Sequence, residues 1–206
     1  MQYKKTVIQT AIITVAVLAV FMLIVSILKN RDTQATPPAN NNLSGELNIR
    51  EEIIAVSDYT YDGEKLGDVT NIVVHYVANP GSSAMANRNY FNSLSETKAT
   101  AASAHFIIGL DGEIIQCVPL DSVSWANGNL ESNRHSITIE CCHPDESGKF
   151  NDKTYNSLIL LINELMREFD LEKDSVIRHY DVTGKMCPLY YVQNEGEWEK
   201  LIEDLK

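Results

Sequence analysis

Residues Ser136–Cys142 read SITIECC. Side chains alternate between faces along a strand with a period of two. Ile137, Ile139 and Cys141 therefore share one face, and Thr138, Glu140 and Cys142 share the other. Three apolar residues assign the first face to the core, so Glu140 points away from it. A carboxylate in mid-strand is uncommon unless it faces solvent or a site.

Working outward, Asn71–Tyr76 (NIVVHY) is a second buried strand that ends at His75. Ala78-Asn79-Pro80-Gly81 must turn, and Ser82 or Ser83 can cap a helix over Ala84–Leu94. His105–Leu110 (HFIIGL) and the run ending at Val118 flank Asp111-Gly112, the strongest short-range hairpin signal. Pro119–Glu131 reads as loop, and Asn48–Tyr61 as a lead-in of no clear class. On the other side, Asn151 or Asp152 can cap a helix with Tyr155, Leu158, Ile159, Ile162, Leu165, Met166 and Phe169 at helical spacing. Val176–Arg178 is a short strand that delivers His179 at its end. Trp198, Leu201, Ile202 and Leu205 mark a closing amphipathic helix. This order predicts an α/β domain with a mixed central β-sheet flanked by helices.

The chain has 206 residues and a net charge of −11. Residues 1–50 carry five Lys/Arg against two Asp/Glu, so the acidity belongs to the remainder. An acidic domain without a basic run argues against nucleic-acid binding. The four cysteines, Cys117, Cys141, Cys142 and Cys187, are not spaced as a disulfide framework and read as buried free thiols.

Val7–Leu28 holds 22 residues without a charge. As a helix it would be roughly 33 Å long, against a hydrocarbon core of about 30 Å. We read residues 1–6 as a short cytoplasmic tail, 7–28 as a transmembrane anchor, 29–46 as a flexible linker, and 47–206 as the catalytic domain. The alternative is a cleaved secretory signal, but the apolar span is long and no convincing small-residue cleavage site follows. The expected location is the cell membrane, single-pass, with the domain outside facing the wall. The alternative location is secretion after cleavage.

Ile177–Pro188 (IRHYDVTGKMCP) brings His179, Lys185 and Cys187 into a dozen residues. His75 sits at the end of another strand, and strand ends are where sites are commonly built. Together His75, His179 and Cys187 would make a three-ligand zinc site with one open position, where water can be activated near neutrality. Glu140 could move the proton, and Lys185 could stabilise an oxyanion. From spacing alone the plainer readings stay open: His75 a core histidine, Cys187 a buried thiol, Glu140 an ion-pair partner.

Four pieces in order carry a resemblance: IVVHY at His75, SAHFIIGLDGEIIQCVP at 103–119, SITIE at 136–140, and RHYDVTGKMCP at 178–188. Through them the chain resembles the zinc-dependent N-acetylmuramoyl-L-alanine amidases of the type-2 amidase family. Their fold is shared with peptidoglycan recognition proteins and phage amidase lysozymes. The resemblance implies hydrolysis of the amide bond between N-acetylmuramic acid and L-alanine in peptidoglycan, by a monomeric catalytic domain. It implies Zn2+ on His75, His179 and Cys187, with Glu140 and Lys185 catalytic. Ala104 stands where phage amidase lysozymes carry a tyrosine, which places the chain in the glutamate-dependent branch. Where many relatives have Trp-His-Ala-Gly, this chain has Trp125-Ala126-Asn127-Gly128. His105, Trp125 and Asn127 are the expected substrate contacts. The alternatives are structural hydrogen bonding for His105 and half-buried packing for Trp125. The alternative function is a non-catalytic peptidoglycan-binding module, although such modules typically lack the cysteine ligand.

Overall fold

Strand β5 (Ser136–Cys141) lies between β3 (Phe106–Ile108) and β2 (Asn71–Tyr76), and pairs with both in parallel. The computed structural model describes residues 47–206. The expected tail, anchor and linker (1–6, 7–28 and 29–46) lie outside the described residues. Among the described residues, no helix is long and apolar enough to cross a membrane.

The remaining strands are β1 (Ile49–Glu51), β4 (Ile114–Gln116) and β6 (Val176–Arg178), and the sheet order is β1-β4-β3-β5-β2-β6. Only β3 and β4 run antiparallel. They are the arms of the hairpin at Asp111-Gly112, where Gly112 takes φ +82, the left-handed backbone that the turn needs. The mixed sheet is therefore as expected. The lead-in is resolved into β1, a three-residue edge strand beside β4 that its mixed composition did not signal.

Helix α1 (Ala84–Thr97) is capped by Ser83, whose hydroxyl accepts the Ala86 N–H. A short α2 (Leu130–Arg134) follows the loop that carries Trp125. Helix α3 (Asp152–Phe169) is capped by Asn151 and covers one face of the sheet. Three short helices complete the chain: α4 (His179–Thr183), α5 (Leu189–Gln193) and α6 (Glu195–Asp204).

The alternation within β5 sorts its residues as expected. Ile137, Ile139 and Cys141 join Ile72, Val74, Phe106 and the α3 residues Leu158, Leu161, Ile162 and Leu165 in the main core. The opposite face is not open to solvent. Ile107, Ile115, Cys117 and Cys142 pack there with Phe91 and Leu94 of α1 in a second core. Glu140 therefore leaves one core only to enter the edge of another, next to the site. Leu161 is fully buried. Its truncation in Leu161→Ala should lower unfolding stability by about 2–5 kcal/mol, read as a lower denaturation midpoint at unchanged slope.

Candidate active site

Parallel pairing sets His75 of β2 directly beside Glu140 of β5. Next to β2 on its other side, β6 ends at Arg178, and His179 opens α4. Three adjacent strands thus bring both histidines and the glutamate to one end of the sheet. This placement is where ligands gather in open α/β sheets.

Cys187 arrives by local geometry. Helix α4 stops at Gly184, whose φ of +77 lets the chain reverse, and its N–H bonds the Tyr180 carbonyl at 2.8 Å. The Tyr180 N–H then bonds the Cys187 carbonyl at 2.9 Å. The returning loop carries Cys187 Sγ to 3.8 Å from His75 Nδ1. One ligand atom each from His75, His179 and Cys187 lies within 4.8 Å of the others, and all three residues are buried. The two imidazole centroids are 4.6 Å apart.

The start of α4 is braced by Arg178. Its guanidinium grips Asp181 through Nε (3.0 Å) and Nη2 (2.9 Å), and Nη1 reaches Glu195 at 2.6 Å and the Tyr191 carbonyl at 3.1 Å. The Arg178 side chain is only 8% exposed. This brace between β6, α4 and α6 holds the residue next to His179 and was not read from the sequence. The available signal was an Asp three residues after an Arg that closes an apolar strand.

Burial lowers the His75 pKa to about 3, helped by the neighbouring His179 and Lys185. Burial also lowers that of His179. Both rings are therefore neutral near pH 7, the form that binds a metal. Burial pushes the Glu140 carboxyl up to about 8 and the Cys187 thiol up to about 12. Lys185, exposed on the loop, opposes both of those shifts. Glu140 is half-buried, with Oε2 sealed and unpartnered, and His179 Nδ1 is likewise buried without a partner. The orphaned Nδ1 of His179, beside Cys187 and the neutral ring of His75, makes a donor set that suits a zinc ion.

Beside this cluster lies a cleft of about 650 Å³ lined by Trp125, Ala126, Gly128, Leu130, His179 and Lys185, among others. Trp125 is half-buried, packs against the second core and also faces the cleft. Two of the expected substrate contacts are elsewhere. His105 is fully buried: Nε2–H donates to the Ser122 carbonyl at 2.9 Å, and Nδ1 accepts from the Thr138 N–H at 3.1 Å. Ser124 and Thr138 complete that network, 2.8 Å apart. Of the two readings of His105, structural hydrogen bonding is the one found, because strand alternation turns its ring onto β5 and under the loop. Asn127 is also fully buried, and its carboxamide is spent on His75 and Ser132 instead of the cleft. His135 and His143 bond the carbonyls of Asp68 and Asp145 and do not join the cluster.

The His105 network has a measurable consequence. Burial lowers its folded pKa to about 4 from the ordinary histidine value of 6.5. The unfolded chain therefore binds more protons between those values. This contribution to stability is complete above pH 6.5 and is lost as pH falls toward 4. The loss should reach on the order of 3 kcal/mol at pH 4. Thermal midpoints measured against pH should flatten in that window for His105→Gln. An unchanged slope would remove His105 from this role.

The fold and the site together define a class: an α/β domain with a three-ligand candidate metal centre and an adjoining carboxylate, the layout of metallohydrolases. More particularly, the chain belongs to the N-acetylmuramoyl-L-alanine amidase family, whose model matches residues 65–189. The N-acetylmuramoyl-L-alanine amidase CwlL of Bacillus licheniformis is 30% identical over 160 residues, covering 72% of this chain and 44% of that protein. BlyA of Bacillus subtilis (strain 168), also an N-acetylmuramoyl-L-alanine amidase, is 32% identical over 164 residues, covering 70% and 43%. The chain thus spans less than half the length of these relatives. A mutant endolysin from Bacillus subtilis superposes with a TM-score of 0.66 at 29% identity, covering 78% of this chain and 99% of its own.

Proposed function

We propose that this protein hydrolyses the amide bond between N-acetylmuramic acid and L-alanine in peptidoglycan, with zinc on His75, His179 and Cys187. The observation that carries the reading is the grouping of three ligand atoms within 4.8 Å, with Glu140 on the neighbouring strand position and Lys185 on the adjoining loop. A zinc ion held there would supply Lewis acidity, polarising the amide carbonyl and lowering the pKa of water to about 7.

The chain's own residues do the rest. Glu140 has one sealed, unpartnered oxygen and stands in register beside His75, so as a carboxylate it can take a proton from the attacking water and return it to the departing L-alanine amine. Lys185 lines the cleft, and its ammonium can stabilise the negative charge that develops on the carbonyl oxygen. Trp125 offers an aromatic face to the substrate in the same cleft. All of these groups come from one chain, which supports action as a monomer.

In this reading residues 7–28 anchor the chain in the cell membrane, and the domain faces the wall through the linker 29–46. The support is the charge-free span Val7–Leu28 and the wall polymer as substrate. Fractionation of producing cells tests the location. The chain should remain with membranes through a high-salt wash, and recovery of a shortened chain from the medium would favour signal cleavage.

Digestion of purified peptidoglycan, read by mass spectrometry, tests the activity. Free stem peptides beginning at L-alanine are expected, with loss on chelation and return with zinc. Muropeptide binding without release of peptides would favour the non-catalytic recognition reading.

A further inference from the structure

Asn127 lies behind the ligand cluster, fully buried, with Oδ1 3.0 Å from His75 Nε2. The opposite ring nitrogen, Nδ1, faces Cys187 Sγ at 3.8 Å. A ligating nitrogen must offer its lone pair, so in a neutral imidazole the proton resides on the other nitrogen and needs an acceptor. We propose that Asn127 is a positioning residue for the metal centre, whose side chain fixes the ring of His75. The inference rests on the metal-centre reading above.

The carboxamide is itself held. Its Nδ2 donates to Ser132 Oγ at 2.9 Å, which turns Oδ1 toward His75. The Asn127 N–H donates to Asn133 Oδ1 at 2.9 Å. The Ser132 N–H in turn donates to Asn129 Oδ1 at 3.0 Å, the N-cap of α2. The short helix after the Trp125 loop thus serves as the mount for Asn127.

His179 is arranged in the same sense. Its Nδ1 has no partner, whereas its Nε2 looks toward the 127–128 main chain, 3.9 Å from where a Cβ on Gly128 would stand. Both imidazoles therefore turn Nε2 toward the 127–128 segment. Partners of this kind fix ligand orientation, and their loss typically weakens metal binding about 10–100-fold.

The test is zinc affinity of the purified full chain, by competition with a chromophoric chelator, together with the visible spectrum of the cobalt-substituted protein. Asn127→Leu removes the acceptor at similar size and should weaken zinc about 10–100-fold and shift the cobalt bands. Asn127→Asp keeps an oxygen for the His75 Nε2–H and should stay within a few-fold of the unaltered chain. Circular dichroism of the metal-free variants checks folding. If Asn127→Leu does not fold, Ser132→Ala replaces it and should weaken zinc by a smaller factor. Unaltered affinity and spectrum in Asn127→Leu, or in Ser132→Ala where that variant replaces it, overturn this inference alone. Failure of the unaltered chain to bind zinc overturns the metal-centre reading and this inference with it.

Discussion

Glu140→Gln should lower the rate of stem-peptide release by about 10²–10⁴-fold while leaving zinc affinity nearly unchanged. Glutamine fills the same space but cannot take up a proton. Glu140 is paired in register with the candidate ligand His75, yet it does not belong to the candidate ligand group itself. Loss of rate with retained metal separates a proton carrier from a ligand. Loss of zinc binding would reassign Glu140 to the metal, and a near-normal rate would remove it from the reaction. The same variant also tests the electrostatics of the metal-free protein. Burial raises the Glu140 pKa to about 8 from 4.5. A raised folded pKa gives stability that is present below pH 4.5 and is lost as pH rises through 8. Metal-free Glu140→Gln should therefore melt above the wild type at pH 8, and the gap should close toward pH 4.5.

Cys187→Ala should cost zinc affinity more than the about 10–100-fold typical of a lost orienting partner, and activity should fall to background. The thiol is 2% exposed, and burial holds it up to about 12. A cation overcomes that cost, since a coordinating thiol is deprotonated outright. Among the three candidate ligands, the Cys187 thiolate is the one that would contribute a full negative charge. Differential scanning calorimetry gives an independent readout. Zinc at 1,000 times its Kd stabilises the folded state by about 4 kcal/mol, and Cys187→Ala should lose that increment. A zinc-dependent rise in Tm equal to the wild type would show that Cys187 is not a ligand.

The strands and helices that build the site were largely legible in the sequence because each carries a clean period. SITIECC alternates, NIVVHY is an apolar run, Asp-Gly marks the hairpin, and α3 repeats its apolar stripe over 18 residues. Elements without such a period were missed. Strand β1 has three residues on a sheet edge, and α5 has five residues held by packing of Tyr191 in the main core. Their conformations come from neighbours, which a local pattern does not encode.

The sequence by itself determined the family resemblance, which singled out His75, Glu140, His179, Lys185 and Cys187 as candidates, and the face of β5 from which Glu140 projects. The candidates come from the motifs that carry the resemblance, and the face follows from strand periodicity, a local property. Only the tertiary structure decided what Asn127 and His105 do. Both are polar residues close to site motifs, and in sequence both suit a substrate cleft. Whether such a side chain faces the cleft or the interior depends on which distant groups need a partner. Asn127 meets His75 across 52 positions, and Thr138 meets His105 across 33 positions. A buried donor left unpaired is costly, so these non-local pairings set the direction of each side chain.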